Sequence, residues 1–569
     1  MSTEFRLEGG SSASNRVLVI GLDGATFRAL NPLCEAGFMP NLQRLVANGA
    51  YGPLQSTIPP ISAAAWTTFI TGKNPGKHGI LHFVSLDWQQ EGEITGQGVE
   101  ISPGTFAVVN ANSIKDATLW QMVSEAGKRV AVINVPMTYP PRPLNGLMIT
   151  CMLTPPGAEH FTYPPELKDE LEDYEIELDL KEKNFESSSV HVIYRLNEIM
   201  DKRARTALRL MQKEPWDLFM VVFTETDRVQ HRFWQYLCPA TAGYDRPNGE
   251  KYRLALHSFY ANLDTWIGKL IDEAGAGVDV VVMSDHGFTA MARRRIYTQA
   301  LAGELGLFSL RKASWSNRLR LLVEGVFGLR YKQIYYMLSK VVPKRLLVRT
   351  LQDLRTRDRA GYSSQRGRII TIQQGIGGLM LNQAQLGPDL APVLAELRGR
   401  LEQLRDPVDG CKLVTRVTVP DEIYSGPFTR KFPPLIFFLE EGYGLSRGTG
   451  RYGRMVEHQP TAPDGQGTHD PVGILILQGP NICPQKLTNE LYIPDVTATI
   501  LYLLGLAIPD DLDGRVLEEA FDVDFVRARP VRQGQGRKVQ EVPEEKSPWY
   551  SRDEEEAVKA RLRGLGYID

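Results

Sequence analysis

Five short segments, each dominated by an uninterrupted apolar run, constrain the fold of this chain more than any other feature. Their positions are 16–24, 128–135, 218–224, 278–285 and 473–477. Strands that do not alternate between apolar and polar residues are typical of a sheet that is buried on both faces. Helical patterns such as 117–127 lie between several of the runs. The sequence therefore predicts an α/β fold with a doubly wound, mostly parallel sheet.

Two long stretches, 155–210 and 305–450, interrupt this alternation of strands and helices. The first is rich in proline and then strongly charged, and we interpret it as an insertion in the core. The second contains helical segments followed by strand-like ones, which predicts a cap inserted between core strands. The predicted organisation is a flexible leader (1–15), a core (16–304), the cap (305–450), the rest of the core (451–524) and a charged tail that ends in a short surface helix (525–569).

The charge balance and the cysteines bear on partners and on the compartment. The formal net charge is only −2, so no global field attracts nucleic acid, and no nucleic-acid binding is expected. The five cysteines are scattered and show no CxxC spacing, as expected of reduced thiols. The sequence shows no secretory signal pattern and no run of about 18 apolar residues. We therefore expect a cytoplasmic protein.

Aspartate and histidine residues adjoin four of the apolar runs. They are Asp23, Asp227, His231, Asp285, His286 and His469. Asp227 and His231 are four residues apart, so on one helical turn they would project side by side. Each residue alone has a simple structural interpretation. Asp-Gly ends many strands as a turn, and a single histidine is more often an ordinary core or surface residue. Carboxylate and imidazole ligands together suit zinc, with manganese as a weaker competitor, so the joint pattern favours a two-metal site.

Ser62 is the candidate nucleophile. Two prolines closely precede it, and a helix-compatible run follows. A hydroxyl at the start of a helix can face the N-terminus, which attracts anions. The alternative is that Ser62 serves only as the N-cap of that helix, which is a common role for serine.

Taken together, these motifs resemble those of a known enzyme family. The motifs are GLDG at 21–24, Ser62 with TG at 71–72, NPGKHGI at 74–80, Asp-x-x-x-His at 227–231, SDHGF at 284–288 and GTHDP at 467–471. In this order they resemble the type I phosphodiesterase/nucleotide pyrophosphatase family of the alkaline phosphatase superfamily, and in particular its bacterial predicted phosphohydrolase/phosphomutase group. The resemblance extends over about residues 17–520. It implies an alkaline-phosphatase-like sheet with an inserted cap subdomain.

The resemblance also implies a role for each candidate residue. One metal ion would be held by Asp23, Asp285 and His286. The other would be held by Asp227, His231 and His469. Ser62 would be the catalytic nucleophile, and a phosphoserine intermediate would follow. The predicted cofactors are therefore two divalent metal ions, zinc or alternatively manganese, which can stabilise the attacking and leaving oxygens of a phosphoryl displacement.

Departures from the family pattern narrow the range of expected substrates. Nucleotide pyrophosphatases of this family have an asparagine near the position of Phe83, where it donates to a phosphoryl oxygen. Sulfatases of the superfamily have Pro and Arg shortly after the nucleophile, and classical alkaline phosphatases have Asp before it and Arg after it. Here Ile61 precedes Ser62 and three alanines follow. A phosphodiester, or a larger phosphorylated small molecule or lipid-like substrate, therefore fits better than a simple monoester.

The segment 311–359 carries a large local excess of basic residues, interleaved with apolar ones. It could form basic amphipathic helices that lie on an anionic membrane, which would place the protein at the inner face of the membrane. The alternative is a cap helix pair with a solvated basic face.

The leading hypothesis is metal-dependent phosphoester hydrolysis, with a phosphodiester as substrate. A phosphomutase or phosphoryl transferase with the same site is the enzymatic alternative. An alternative of another class is a non-catalytic protein that binds anionic lipid or glycan. The presence of all six predicted ligands argues against the non-catalytic alternative.

Overall fold

The computed structural model describes most of the chain. The described residues are 16–85, 94–95, 98–99, 107–171, 173–177, 189–240, 244, 249–307, 309–310, 362–363, 366–382, 386, 389–446, 454–458, 466–536 and 550–565. The basic segment 311–359, predicted from sequence to be helical, lies outside the described residues.

The main helices and strands are numbered in chain order. The strands are β1 (Val17–Leu22), β2 (Ala50–Gln55), β3 (Val130–Ile133), β4 (Gly146–Ile149), β5 (Thr162–Tyr163), β6 (Leu218–Phe223), β7 (Asp279–Met283), β8 (Gly287–Ala290), β9 (Arg294–Tyr297), β10 (Gly367–Gln373), β11 (Ile376–Leu381), β12 (Val414–Thr418), β13 (Leu435–Leu439), β14 (Tyr443–Ser446), β15 (Val456–His458), β16 (Gly467–Asp470), β17 (Val472–Gln478), β18 (Gln485–Lys486) and β19 (Leu491–Tyr492). The helices are α1 (Phe27–Glu35), α2 (Pro40–Asn48), α3 (Ser62–Thr71), α4 (Pro75–His78), α5 (Leu119–Glu125), α6 (Val190–Lys213), α7 (Glu225–Leu237), α8 (Glu250–Ala274), α9 (Thr298–Glu304), α10 (Ala391–Gln403), α11 (Ile493–Leu503), α12 (Val523–Ala528) and α13 (Arg552–Leu565).

A ten-stranded sheet contains all the strands that the apolar runs predicted. Its hydrogen-bonded order is β18-β2-β17-β7-β1-β6-β3-β4-β5, with β19 paired to β2. In the parallel centre, Ile20 of β1 lies beside Val221 of β6 and Val282 of β7. Strand β17 runs antiparallel between β7 and β2. The predicted α/β fold with a mostly parallel sheet is confirmed.

Helices cover both faces of this sheet. Val17 and Val19 of β1 belong to a hydrophobic cluster that includes residues of α3 and α11. Leu18 and Ile20 belong to a second cluster, which includes residues of α6 and α8. Successive side chains of a strand point to opposite faces, so both sets must be apolar. This explains why the strands appear in the sequence as uninterrupted apolar runs.

The chain divides into two compact units. Unit 1 comprises Met1–Ser85, Val108–Ala290 and Gly465–Asp569, and unit 2 comprises Leu86–Ala107 and Met291–Asp464. The ten-stranded sheet belongs to unit 1. In unit 2, β10, β11, β13 and β12 form a four-stranded antiparallel sheet, and β9 pairs with β14 and β15. The predicted cap falls within unit 2, and its boundaries at 305 and 450 stay a prediction.

The C-terminal helix α13 is part of the hydrophobic core of unit 1. Its residues Val558 and Leu562 are fully buried, and Leu565 is nearly so. They join the cluster that also contains residues of α3 and α11. The helix therefore packs against the core, whereas the sequence analysis expected it at the surface.

The lengths of the helices and the state of the cysteines can be compared with the sequence analysis. Among the described helices, none combines the length and the apolar character needed to cross a membrane. All five cysteines are free thiols.

The close packing of Trp66 on β1 yields the first prediction. An added Cβ at Gly21 would lie 2.6 Å from Trp66 Cη2 and 2.8 Å from Val222 Cγ2. We expect Gly21→Ala to lower the free energy of unfolding by about 1–3 kcal/mol, because the core around it cannot expand cheaply. Gly277→Ala is the control, since an added Cβ there meets nothing within 4 Å. Urea denaturation measures both, and equal losses would contradict this packing.

Candidate metal centre

Neighbouring parallel strands bring the predicted ligands to one edge of the central sheet. Asp23 follows β1, Asp285 and His286 follow β7, and β6 leads into α7, the helix with Asp227. The carboxyl ends of parallel strands meet at the same edge, where α/β folds place ligands. His469 lies on β16 and is paired across from Phe288 of β8, which begins directly after His286.

The six residues form two clusters, and within each the potential ligand atoms lie within 4.8 Å of one another. The first cluster consists of Asp23, Asp285 and His286. The second cluster consists of Asp227, His231 and His469. The structure thus groups the residues into the two triplets that the family resemblance implied. Their role as metal ligands stays a prediction.

The first cluster contains carboxylate oxygens that are suited to a cation. Asp23 Oδ1 and Asp285 Oδ2 are buried, and neither has a hydrogen-bond partner within the described part of the chain. His286 Nε2 lies 3.8 Å from Asp23 Oδ1 and 3.4 Å from Asp285 Oδ2. Buried carboxylate oxygens without a donor are strongly unfavourable unless a cation or a proton compensates them. The residues present therefore fit a divalent metal ion.

The remaining carboxylate oxygens of this cluster are held by neighbouring groups. Trp66 Nε1 donates to Asp23 Oδ2 at 3.1 Å. The backbone N–H of Gly24 donates to Asp285 Oδ1 at 3.1 Å. Each carboxylate is thus oriented through one oxygen, which leaves the other directed at the cluster. Such outer contacts orient metal ligands in known metal sites.

The second cluster places two imidazoles around one carboxylate. Asp227 Oδ1 lies 3.4 Å from His231 Nε2 and 3.3 Å from His469 Nε2. The two Nε2 atoms are themselves only 2.9 Å apart. On the other side of the carboxylate, the fully buried guanidinium of Arg228 donates to Asp227 Oδ2. The three ligand atoms therefore converge on one point.

All three histidines have a backbone carbonyl beside Nδ1. His286 Nδ1 lies 3.1 Å from the carbonyl oxygen of Gly287, and His231 Nδ1 lies 3.3 Å from that of Gly467. His469 Nδ1 lies 2.8 Å from the carbonyl oxygen of Pro60. A carbonyl oxygen can only accept, so Nδ1 carries a proton, and a neutral ring of this tautomer has its lone pair on Nε2. This arrangement is common for histidines that bind metal through Nε2.

The electrostatics of the first cluster oppose ionisation in the absence of a cation. Burial, followed by the neighbouring carboxylates Asp285 and Asp227, raises the pKa of Asp23 well above its usual value. Burial also raises the pKa of Asp285 to about 7. Burial lowers the pKa of His286 well below its usual value, so its ring is neutral at neutral pH.

In the second cluster the surroundings favour an ionised carboxylate. Burial alone would raise the pKa of Asp227, but His231, His469 and Arg228 outweigh it and hold that pKa well below its usual value. Burial lowers the pKa of His231 to about 4. A neutral imidazole beside an ionised carboxylate is the protonation state that a metal site requires.

Ser62 lies at the N-terminus of α3 and is fully buried. Its Oγ lies 3.2 Å from His286 Nε2, so it adjoins the first cluster. The N-cap position is Ile61, whose side chain makes no capping hydrogen bond. The capping alternative therefore does not describe Ser62, whose hydroxyl instead lies against a predicted metal ligand.

Sequence reasoning missed the groups that support the clusters, namely Trp66, Arg228 and the Gly24 amide. One signal was available for Trp66, because it follows Ser62 by four residues and so lies on the same helix face. Phe83, interpreted from sequence as the replacement for a phosphoryl-binding asparagine, is fully buried in the hydrophobic core.

A third carboxylate–imidazole group lies in unit 2 and consists of Asp406, Asp409 and His458. Asp406 already accepts hydrogen bonds from Tyr443 and His458, and Asp409 pairs with Arg294. A polar cluster that is satisfied in this way needs no metal ion.

Comparisons with solved structures show the fold. Phosphonoacetate hydrolase from Sinorhizobium meliloti 1021, in complex with phosphonoformate, matches with a TM-score of 0.51 at 16% identity, over 86% of this chain and 95% of that one. Murine ectonucleotide pyrophosphatase/phosphodiesterase 5 matches with a TM-score of 0.47 at 13% identity, over 89% of this chain and 100% of that one. No curated protein matches the sequence significantly. The chain shares the overall fold of phosphonoacetate hydrolase.

The family follows from the sequence. The family model described as type I phosphodiesterase/nucleotide pyrophosphatase matches residues 17–450, so the chain belongs to that family. It is accordingly a phosphoester hydrolase of the phosphodiesterase/pyrophosphatase type. His469 and helix α13 lie beyond the matched residues.

The raised pKa of Asp285 yields a prediction for metal-free protein. A carboxyl whose pKa is higher in the folded than in the unfolded state makes stability fall as pH rises, here from about 4 to about 7. Asp285→Asn removes this ionisation and should raise the free energy of unfolding at pH 8 by about 1–4 kcal/mol. The gain should vanish toward pH 4. Thermal denaturation with chelator at both pH values measures it, and a destabilised variant at pH 8 would contradict the assignment.

Proposed function

We propose that the chain is a metal-dependent phosphodiesterase that acts through a phosphoserine on Ser62. The observation that carries the proposal is the position of Ser62 Oγ, 3.2 Å from His286 Nε2, in the cluster where Asp23 Oδ1 and Asp285 Oδ2 have no hydrogen-bond donor among the described residues. A hydroxyl in these surroundings is poised for nucleophilic catalysis. The proposal refines the phosphoester hydrolase activity that membership of the family establishes.

In this proposal the two clusters hold two divalent metal ions. Asp23, Asp285 and His286 hold the first. Asp227, His231 and His469 hold the second. Mixed carboxylate and imidazole ligands favour zinc, with manganese as the alternative. Bound ions would supply electrostatic stabilisation for the attacking and leaving oxygens of a phosphoryl displacement.

The residues of the chain account for the remaining steps. Ser62 Oγ loses its proton and attacks the phosphorus, so that an Oγ–P bond forms while the bond to the leaving alcohol breaks and that alcohol takes up a proton. The phosphorylated serine still carries the second ester group of the diester; water then attacks its phosphorus, the Oγ–P bond breaks, a phosphate monoester is released, and Ser62 recovers its proton. The N-terminus of α3, where the N-cap residue Ile61 makes no side-chain capping hydrogen bond, presents backbone N–H groups that stabilise the phosphoryl oxygens.

The residues on either side of Ser62 in the sequence support a phosphodiester over a monoester. The residues flanking Ser62 are Ile61 and, on the other side, the buried Ala63, Ala64 and Ala65, which offer no charged clamp for a second phosphoryl charge. A diester carries one charge fewer on its phosphoryl oxygens and needs no such clamp. A phosphorylated small molecule or a lipid-like diester fits this site, and nucleic acid is not the expected substrate.

The proposal includes a cytoplasmic location. Five free thiols are consistent with a reducing cytoplasm. Contact with the inner face of the membrane through 311–359 stays a prediction from sequence.

The test compares a chromogenic phosphodiester with the matching monoester. We expect wild-type protein loaded with zinc or manganese to prefer the diester and to lose activity when a chelator removes the metal. Ser62→Ala should reduce the rate by at least about a thousandfold, because the nucleophile is lost. Metal content of the variant is the control and should equal that of wild type.

Other outcomes would point elsewhere. A Ser62→Ala variant as active as wild type would refute the nucleophile. Metal-loaded protein that isomerises a phosphorylated substrate without releasing an alcohol would be a phosphomutase. Protein that binds metal but turns over no phosphoester would favour the non-catalytic alternative. Acid-quenched wild-type protein that was turning over the diester should carry one phosphoryl group on the peptide with Ser62, with the second ester group of the substrate still attached, as measured by mass spectrometry.

A further inference from the structure

The C-terminal segment holds a loop that neighbours the second cluster. Arg561 of α13 donates from Nη1 to the carbonyl oxygens of Met152 at 2.7 Å and Thr154 at 2.6 Å. The hydroxyl of Tyr550 donates to the carbonyl oxygen between them, that of Leu153, at 2.9 Å. Three consecutive carbonyls after β4 are thus bound by residues that lie near the end of the chain. Two of these hydrogen bonds are charge-assisted and hence comparatively strong.

The same loop contacts the guanidinium that supports Asp227. Arg228 donates from Nη2 to Met152 Sδ at 2.9 Å and to Glu177 at 3.1 Å, and from Nη1 to Asp227 Oδ2. Met152 therefore touches Arg561 through its backbone and Arg228 through its side chain. A fully buried guanidinium is stable only while its partners stay in place.

A second contact reaches α7 directly. Arg232, which follows His231, donates to the carbonyl oxygen of Gly564 at 3.2 Å. The apolar face of α13 fixes the helix in place, because Val558 and Leu562 are fully buried. Tyr550 adds a ring stacked on Tyr139, with centroids 5.7 Å apart. The segment is therefore anchored independently of the polar contacts that reach the second cluster.

We propose that α13 is a positioning element of the second cluster, and that Arg561 acts through Met152 and Arg228 to orient Asp227. The proposal rests on the proposed metal assignment. Arg561 acts through the backbone carbonyls of Met152 and Thr154, so its proposed role is that of a positioning residue. Its loss should free the loop at Met152, let Arg228 move, and weaken the hold on Asp227 Oδ2, which widens the second site without touching the first.

The test measures metal affinity, not turnover. Metal-free Arg561→Ala is titrated with zinc against a competing chelator. We expect one of the two sites to weaken by about 10- to 100-fold, as is usual when an outer partner of a metal ligand is removed, while the other keeps its affinity. Arg563→Ala is the matched control, because Arg563 is an exposed arginine on the same helix. Arg561→Lys keeps one charged donor and should restore part of the affinity.

The weakened site is identified by combining variants. In an Asp285→Asn background only the second site remains, and Arg561→Ala should weaken it to the same extent. In an Asp227→Asn background the same change should have no effect on the first site. Tyr550→Phe removes only the hydroxyl donor to Leu153 and serves as a milder variant if Arg561→Ala does not fold. The expected effect is again a selective loss at the second site.

The results separate this proposal from the proposed function. Wild-type protein that binds no metal ions would overturn the proposed function itself. Wild-type protein with two sites, together with folded Arg561→Ala and Tyr550→Phe variants that bind both ions as tightly, would overturn only the positioning role. Equal weakening of both sites, or equal weakening by Arg563→Ala, would also overturn it, because a general loss of stability would then explain the result.

Discussion

The structure depends on how it compensates the carboxylate charge buried at the carboxyl edge of its central sheet. Asp23, Asp227 and Asp285 are all at most 1% exposed. An ionised carboxylate that is buried without compensation costs more than the whole stability of a typical domain, about 5–15 kcal/mol. Such an arrangement persists only where protons or cations balance the charge. The residues at this edge of the sheet are therefore suited to hold a cation.

Neighbouring groups donate a hydrogen bond to one oxygen of each carboxylate, and the other oxygen stays available for a metal ion. The Trp66 indole holds Asp23, the Gly24 amide holds Asp285, and Arg228 holds Asp227. Rigid elements carry these donors, so the ligand oxygens keep their direction without a metal ion. Preorganisation of this kind lowers the cost of ordering the site when an ion binds. These three donors therefore shape the candidate site as much as the predicted ligands do.

The sequence predicts the sheet and the six candidate ligands because both leave local patterns, whereas the grouping of these residues into two triplets was implied by the family resemblance. An apolar run that ends in Asp23 or Asp285 marks a strand and its ligand within a few residues. The supporting contacts leave no such pattern, since Trp66 and Asp23 are 43 residues apart and Arg561 and Met152 are 409 apart. Helix α13 was expected at the surface because charged residues dominate its composition. Its apolar stripe at Val558, Leu562 and Leu565 has helical spacing, and burial of that stripe decides the packing.

The two clusters differ in what balances their charge without a metal ion. In the second, two imidazoles and the Arg228 guanidinium surround one carboxylate, and the pKa of Asp227 stays low. In the first, two carboxylates face one imidazole, and the pKa values of Asp23 and Asp285 are raised. A cation that enters the first cluster must displace protons near neutral pH, whereas Asp227 has none to lose. If the clusters hold the proposed ions, affinity would therefore depend on pH more steeply in the first cluster, and the two clusters are chemically distinct although they share one edge of the sheet.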